Sequence, residues 1–389
     1  MRKPHTRWSR VTLIGIGASL IVGVFVLAFS WPSVTSSVHG IPVVVAGSGP
    51  GADAVAAQLT DAAGAPGASG TTATPSDGPV TFVVTRVESR DEAVDAIESR
   101  AAFGAIVIAG ADAGTSASGA AAAAPSAPEV LTASANGLVV SQIFTGVATQ
   151  IQAAFAQQLT AQGVPAAAVP TVQVTDVVPL AAGDPRGTGL STLSFPLVIG
   201  GMIGGVVVTL LVAGVWRRLA ASVVYGVASG VVVVALTQAW FGILQGDAVL
   251  NTIAVAAAVL AITVFIVGMT SLIGARGIAV GAILSLLIGN PISGAAQPWQ
   301  FLPDPWGAIG QWFPPGAGAT LMRDLAYFPA ASTFFPSLVL AGWIALGVVL
   351  SAVGHFRDRA LLASPAAFEE EHAGAHALAD PSLRPALQA

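Results

Sequence analysis

The 389-residue sequence has no cysteine, a single lysine at position 3, and charge on only 9% of its residues. Without cysteine there is neither a disulfide framework nor a thiolate metal site. Any domain outside the cytosol must therefore hold itself together by burial. A phosphate-cradling loop needs Gly-Lys-Ser/Thr, and Lys3 stands in no such context, so this chain lacks that ATPase site. Soluble domains average about 25% charged residues. A chain with so little charge cannot face water over its whole surface, and lipid must replace water over much of it. The net charge of −5 offers no basic face for nucleic acid. No acid/base pair or Ser-His-Asp arrangement can be assembled, and nothing in the sequence calls for a cofactor.

In place of charge there are long apolar runs. A bilayer-spanning helix needs roughly 20 mostly apolar residues. Residues 11–31, 193–216, 219–241, 251–274, 277–293 and 333–354 qualify, and none contains Asp, Glu, Lys or Arg. They predict a polytopic α-helical membrane protein with about six transmembrane helices. Asn290-Pro291 shortens the fifth run, where a re-entrant or broken helix is the alternative. The first run follows Arg2, Lys3, Arg7 and Arg10 and reads as an uncleaved anchor, with a cleaved signal peptide as the alternative. If the six runs alternate, these residues fall on one side with Arg217, Arg218, Arg276, Arg357 and Arg359. Among the short loops opposite, Arg323 stands alone. The positive-inside rule then places both termini, 1–10 and 355–389, in the cytoplasm of a multi-pass plasma-membrane protein, with 32–192 outside.

That outer segment reads as an inserted extracytoplasmic α/β domain. Residues 41–46, 80–87, 103–109 and 169–180 are strand-like. Residues 52–63, 90–102 and 137–162 are helix-like, the second opening on Ser89 as N-cap with Glu92 three residues on. The order is β-α-β-α-β, then β-α-β, although no residues present themselves for the strand before the last helix. Two Gly/Ala/Ser/Thr/Pro-rich stretches, 64–78 and 110–127, bury too little to order themselves and read as loops. The tail from 363 reads as loosely ordered. Its His372 and His376, beside Glu369, Glu370 and Glu371, are read as a solvated surface rather than a metal site.

Within the apolar runs, Gln238, Thr263, Thr270 and Asn290 are the polar exceptions. They read as helix–helix hydrogen-bonding residues. A proton- or sodium-driven carrier would place ionisable groups there, and none is present. Gly200, Gly201, Gly204 and Gly205 form two overlapping Gly-x-x-x-Gly pairs, suited to close helix approach within the chain or across a homodimer seam. Between the fifth and sixth runs, 294–332 carries Trp299, Trp306 and Trp312 with Pro303, Pro314 and Pro315. Tryptophan favours the bilayer interface, and the prolines forbid one long helix. This predicts short interfacial helices, read as an anchoring loop or as a re-entrant element lining an exit path. A helix over 318–328, with Arg323 and Asp324, leads to the last span.

Two stretches resemble a known family. One is Val87-Glu88-Ser89-Arg90-Asp91-Glu92-Ala93 running to Gly104-Ala105-Ile106-Val107-Ile108. The other holds Asn290-Pro291-Ile292-Ser293-Gly294, Pro298-Trp299, Leu302-Pro303 and Pro314-Pro315-Gly316-Ala317. Together with the layout of one helix, an inserted domain and five helices, they resemble ABC-2-type transporter permeases, in the phage-infection-protein (Pip)-like branch of high-GC bacteria. The resemblance implies a permease subunit of an exporter, paired as a homodimer or with a second half in the lipid bilayer, and driven by a separate ABC ATPase chain. It implies a coupling surface at the cytoplasmic turn of Arg217 and Arg218, with the Arg2 to Arg10 segment as a second candidate. The branch also includes proteins of phage adsorption and secretion-system assembly. That implies the alternative of a non-transporting envelope scaffold or surface receptor whose outer domain binds a partner.

Overall fold

The computed structural model describes residues 8–62, 81–108 and 127–362. Arg2, Lys3, Arg7, the stretch 64–78, all but the last residue of 110–127, and the tail with its histidines lie outside the described residues. The chain is mostly helical with one five-stranded sheet. It opens with α1 (Trp8–Thr35). Then come β1 (Ile41–Ala46), α2 (Pro50–Ala62), β2 (Phe82–Val87), α3 (Arg90–Glu98), β3 (Gly104–Val107), β4 (Glu129–Thr132), α4 (Leu138–Ala161) and β5 (Gln173–Asp176). The helical remainder is α5 (Thr188–Leu211), α6 (Val215–Val234), α7 (Ala248–Ile273), α8 (Arg276–Ala282), α9 (Trp306–Gly310), α10 (Pro314–Tyr327) and α11 (Phe334–Leu362). π-helical turns extend α6 over Ala235–Trp240 and α8 over Ile283–Gly289.

The sheet order is β2-β1-β3-β4-β5, parallel except where β4 runs against β3. Side chains alternate between faces with period two. Ile41, Val43, Val45, Ile106 and Val130 pack under α2 and α4, around Phe144. Val44, Ala46, Ala105, Val107 and Leu131 pack with Ala93 and Ile97 of α3, in a cluster that continues into the helical part. The glycine that opens the Gly-Ala-Ile-Val stretch of β3 has a steric reason. A Cβ on Gly104 would lie 2.5 Å from the Phe144 ring. The strand for which the sequence offers no location is β4.

An ion pair stitches this unit. Arg90 donates from Nε and Nη2 to the Glu129 carboxylate at 2.8 and 3.1 Å, and Thr175 donates to the same group at 2.6 Å. The Arg90 hydrogen bonds hold the Glu129 carboxyl below its ordinary 4.5, against an opposing effect of burial. A carboxyl depressed by folding stabilises above its unfolded pKa, and that contribution is lost as pH falls through the folded value. The melting temperature is therefore expected to fall on acidification below about 4.5. Glu129→Gln should remove part of that slope in a pH series of thermal melts.

Five described helices are long and apolar enough to cross a membrane: α4, α5, α6 with its π turn, α7 and α11. Of these, α4 lies on the sheet through Val140, Phe144 and Ala148. The other four, with α1 and α8, coincide with the six apolar runs of the sequence. The boundaries shift because caps, and not hydropathy, set them. Asp247 accepts from the amides of Val249 and Leu250 and starts α7 three residues early. α5 runs over 188–211 where the sequence predicts 193–216, because Asp184 accepts from the amides of Thr188 and Gly189.

In the helical part, α7 is the hub and touches α5, α6, α8, α10 and α11. Its neighbours turn large apolar side chains outward: Leu210 and Leu211, Val224 and Val231, Leu338 and Val349 are all exposed. Such a continuous apolar exterior suits lipid rather than water. In the interior, glycines such as Gly201, Gly205 and Gly230 and the hydroxyl of Thr263 sit among the buried Val and Ile of α7, as expected where helix contact depends on close approach.

Candidate functional site

The two Gly-x-x-x-Gly pairs of α5 are used inside the chain. A Cβ on Gly201 or Gly205 would press on Ile262 or Ile266 of α7, at 2.9 and 2.7 Å. Gly200 and Gly204 face Tyr225 of α6, whose hydroxyl donates to the Gly200 carbonyl at 2.7 Å. Of the polar exceptions, Thr263 donates to the Gly201 carbonyl at 3.0 Å, and Thr270 lies 3.3 Å from the Thr209 hydroxyl. The Gln238 side chain bonds both Asn251 and the Gly246 carbonyl. The amide oxygen of Asn290 is buried without a partner.

Arg217 and Arg218 stand in the first turn of α6 and not in the connection itself, which is Val212–Gly214. Arg218 Nε donates back to the Val212 carbonyl at 2.7 Å and caps the end of α5, while Arg217 is exposed. Around them cluster Trp216 against His355, 6.3 Å apart, and Arg357 on the Leu272 carbonyl. Arg276 opens α8 beside them, so Arg217, Arg218, Arg276 and Arg357 share one end of the bundle. The sheet sits at the other end.

The segment between α8 and α11 joins the two parts. Its Pro/Trp-rich half docks on the sheet unit. Phe301 is part of the α2/α4-side core, its carbonyl accepts from Ser37 N at 3.0 Å, and Pro298 lies against Gly137. Trp299 opens a 3₁₀ turn, Pro303 accepts from Trp306 N, and the Trp306 ring meets Trp31 of α1 at 5.8 Å. The chain then turns inward through α9. Trp312 remains exposed against Phe335, and its carbonyl accepts from Trp343 Nε1 at 2.7 Å.

Pro314 and Pro315 start α10, where a missing N–H costs nothing. The helix therefore begins four residues before the predicted 318. Twelve of its fourteen residues are buried. It lies between α5, α7 and α11 with its N-terminus against Ala258 and Ile262, midway along α7. α10 is thus a half-length helix inside the bundle, not an element of its rim.

At its C-terminal end α10 meets the sheet unit through charge. Asp324 pairs with Arg100, and the Arg100 guanidinium sits 5.3 Å over the Phe328 ring. Both partners are largely buried, and Tyr327 donates to the Ile243 carbonyl beside them. The sequence reading marks Asp324 but passes over Arg100. A signal exists in hindsight. Arg100 has φ of 60° just past the end of α3, where glycine is the usual occupant. An arginine kept in a strained position is kept for its side chain.

No family model, no curated protein and no solved structure matches this chain.

Proposed function

We propose that the chain is the membrane-spanning permease subunit of an ABC-2-type exporter that works with a separate ATPase chain. In this reading six helices cross the bilayer, both termini and the arginine-bearing end are cytoplasmic, and the sheet unit stands outside. The observation that carries it is the double attachment of 294–327. Phe301 is built into the core of the sheet unit, and α10 is built into the bundle beside α7. A rigid-body movement of the bundle would carry α10 and pull on the outer unit through the same segment. That is the coupling an alternating-access exporter needs. The π-helical turns at the ends of α6 and α8 fit a bundle that rearranges there.

One observation favours the envelope scaffold or receptor instead. The Val212–Gly214 connection is three residues long and presents little surface to an ATPase.

The test uses the full chain purified from its own membrane. A nucleotide-hydrolysing chain should co-purify, and Arg217→Glu, at an exposed site, should abolish that association. Because the chain is cysteine-free, single cysteines report topology directly. Gln162→Cys should react with an impermeant maleimide in intact cells, and Ala275→Cys only after permeabilisation. An absent ATPase with this labelling pattern leaves the scaffold reading. Labelling of Ala275→Cys in intact cells overturns the topology.

A further inference from the structure

Where the sheet unit meets the bundle, a cavity of about 140 Å³ opens to the surface. That is many times the space one ordered water requires. Its walls come from the start of α4, the connection into α5, residues 296–298 and the C-terminal end of α10.

Two buried groups line it, one a cation with no ion pair among the described residues and the other a carboxamide with no hydrogen bond there. Arg323 is 8% exposed, and its one hydrogen bond goes from Nη2 to the Ala295 carbonyl at 3.1 Å. Among the described residues it has no ion pair, since Asp324 is taken by Arg100. Asn136 is 1% exposed, and among the described residues neither its amide nitrogen nor its amide oxygen has a partner. A buried cation is costly unless paired, and so is a buried carboxamide left unbonded.

Arg186 stands exposed at the cavity wall and forms no ion pair among the described residues. The carboxylate in the lining, Asp184, is committed to the Thr188 and Gly189 amides, at 3.0 and 2.6 Å. What remains for an occupant is two guanidinium groups and one carboxamide, beside apolar walls of Leu138, Leu190 and Pro298.

We propose that this cavity binds a phosphate group, with Arg323 as the buried anchor, Arg186 at the mouth and the Asn136 amide as a further donor. The guanidinium fork matches phosphate oxygens two at a time, which an ammonium cannot do. The group arrives either as a free phosphate or as the headgroup of an anionic lipid lying along the apolar wall. The site does not depend on the exporter reading, since binding needs no ATPase.

The experiment uses the full chain in phosphatidylcholine nanodiscs titrated with inorganic phosphate, followed by thermal shift at constant ionic strength. A parallel sample in detergent is offered phosphatidylglycerol and read by native mass spectrometry. Stabilisation by phosphate without lipid retention identifies a free anion. Retention of phosphatidylglycerol over phosphatidylcholine identifies a headgroup. In either arm Arg186→Glu, on the surface and safe for folding, should weaken binding at least about tenfold, as for loss of a charge-assisted contact. Arg323→Lys should weaken it while keeping the charge. Binding of neither ligand, or undiminished binding by a folded Arg186→Glu protein, overturns the proposal.

Discussion

Asp324→Ala is expected to cost the folded chain about 3 kcal/mol, because it leaves one buried charge without its counter-charge. The pair it breaks joins the sheet unit to α10, and both side chains are largely shielded from water. Removing the carboxylate strands the Arg100 guanidinium, whose Nε already has no hydrogen-bond partner. It also sets Arg100 near Arg323 with nothing between them to offset the repulsion. The ring of Phe328 retains part of the interaction, since a guanidinium over an aromatic face keeps about 1 kcal/mol. Thermal or denaturant unfolding in detergent reads the loss.

The double variant Arg100→Leu with Asp324→Leu separates the pair from its burial. Replacing a buried ion pair by apolar residues of similar size is often neutral, so the double variant should recover most of what either single change loses. A loss below about 1 kcal/mol for both single variants would mark the pair as solvent-screened, and the sheet unit would then be held to the bundle by packing alone. Because the two residues lie on different units, the double-mutant cycle measures the strength of the junction itself.

What could be read beforehand follows from which forces act locally. The six apolar runs declare themselves because hydrocarbon imposes a length and tolerates no charge. The α/β unit is legible because 41–46 and 80–87 are short β-branched runs, and because Ser89, which accepts from the Glu92 amide, stands where an N-cap should. The Trp and Pro residues of 294–315 mark an irregular element, yet its depth is set by packing against α7 and α11, which composition does not show. Arg100 and Asp324 are 224 positions apart, and no local pattern joins them. Asn136 is a lone asparagine after a four-residue strand. Its burial at the cavity it shares with 296–298 and α10 has no local signal. Junctions between units are made of such single residues, and periodicity carries no trace of them.

Gly310→Val is expected to unseat α10 at a cost of about 4 kcal/mol, above the usual 1–3 kcal/mol for overpacking. The residue sits at the inward turn before α10, and a Cβ there would fall on the Ile292 carbonyl. The neighbours cannot yield cheaply because the obstacle is backbone on both sides. Gly307 meets the Trp299 carbonyl in the same way, and Gly316 meets that of Gly310 itself. Three hydrogen bonds depend on this closeness: Gln311 Nε2 to the Ser293 carbonyl, Thr320 to Gln311 Oε1, and Arg323 to the Ala295 carbonyl. Pushing 292–295 away would lengthen the first and the last and leave Gln311 held by Thr320 alone, and α10 would lose its footing against α7. Limited proteolysis near 312 together with thermal unfolding reads the result. The control is Gly342→Ala in α11, where a Cβ meets nothing within 4 Å. There the change should be neutral, or stabilising by up to about 1 kcal/mol from helix propensity. Equal tolerance at both glycines would mean that the hairpin leading into α10 is not closed by backbone contact, and the half-helix would have to be held by its apolar face alone.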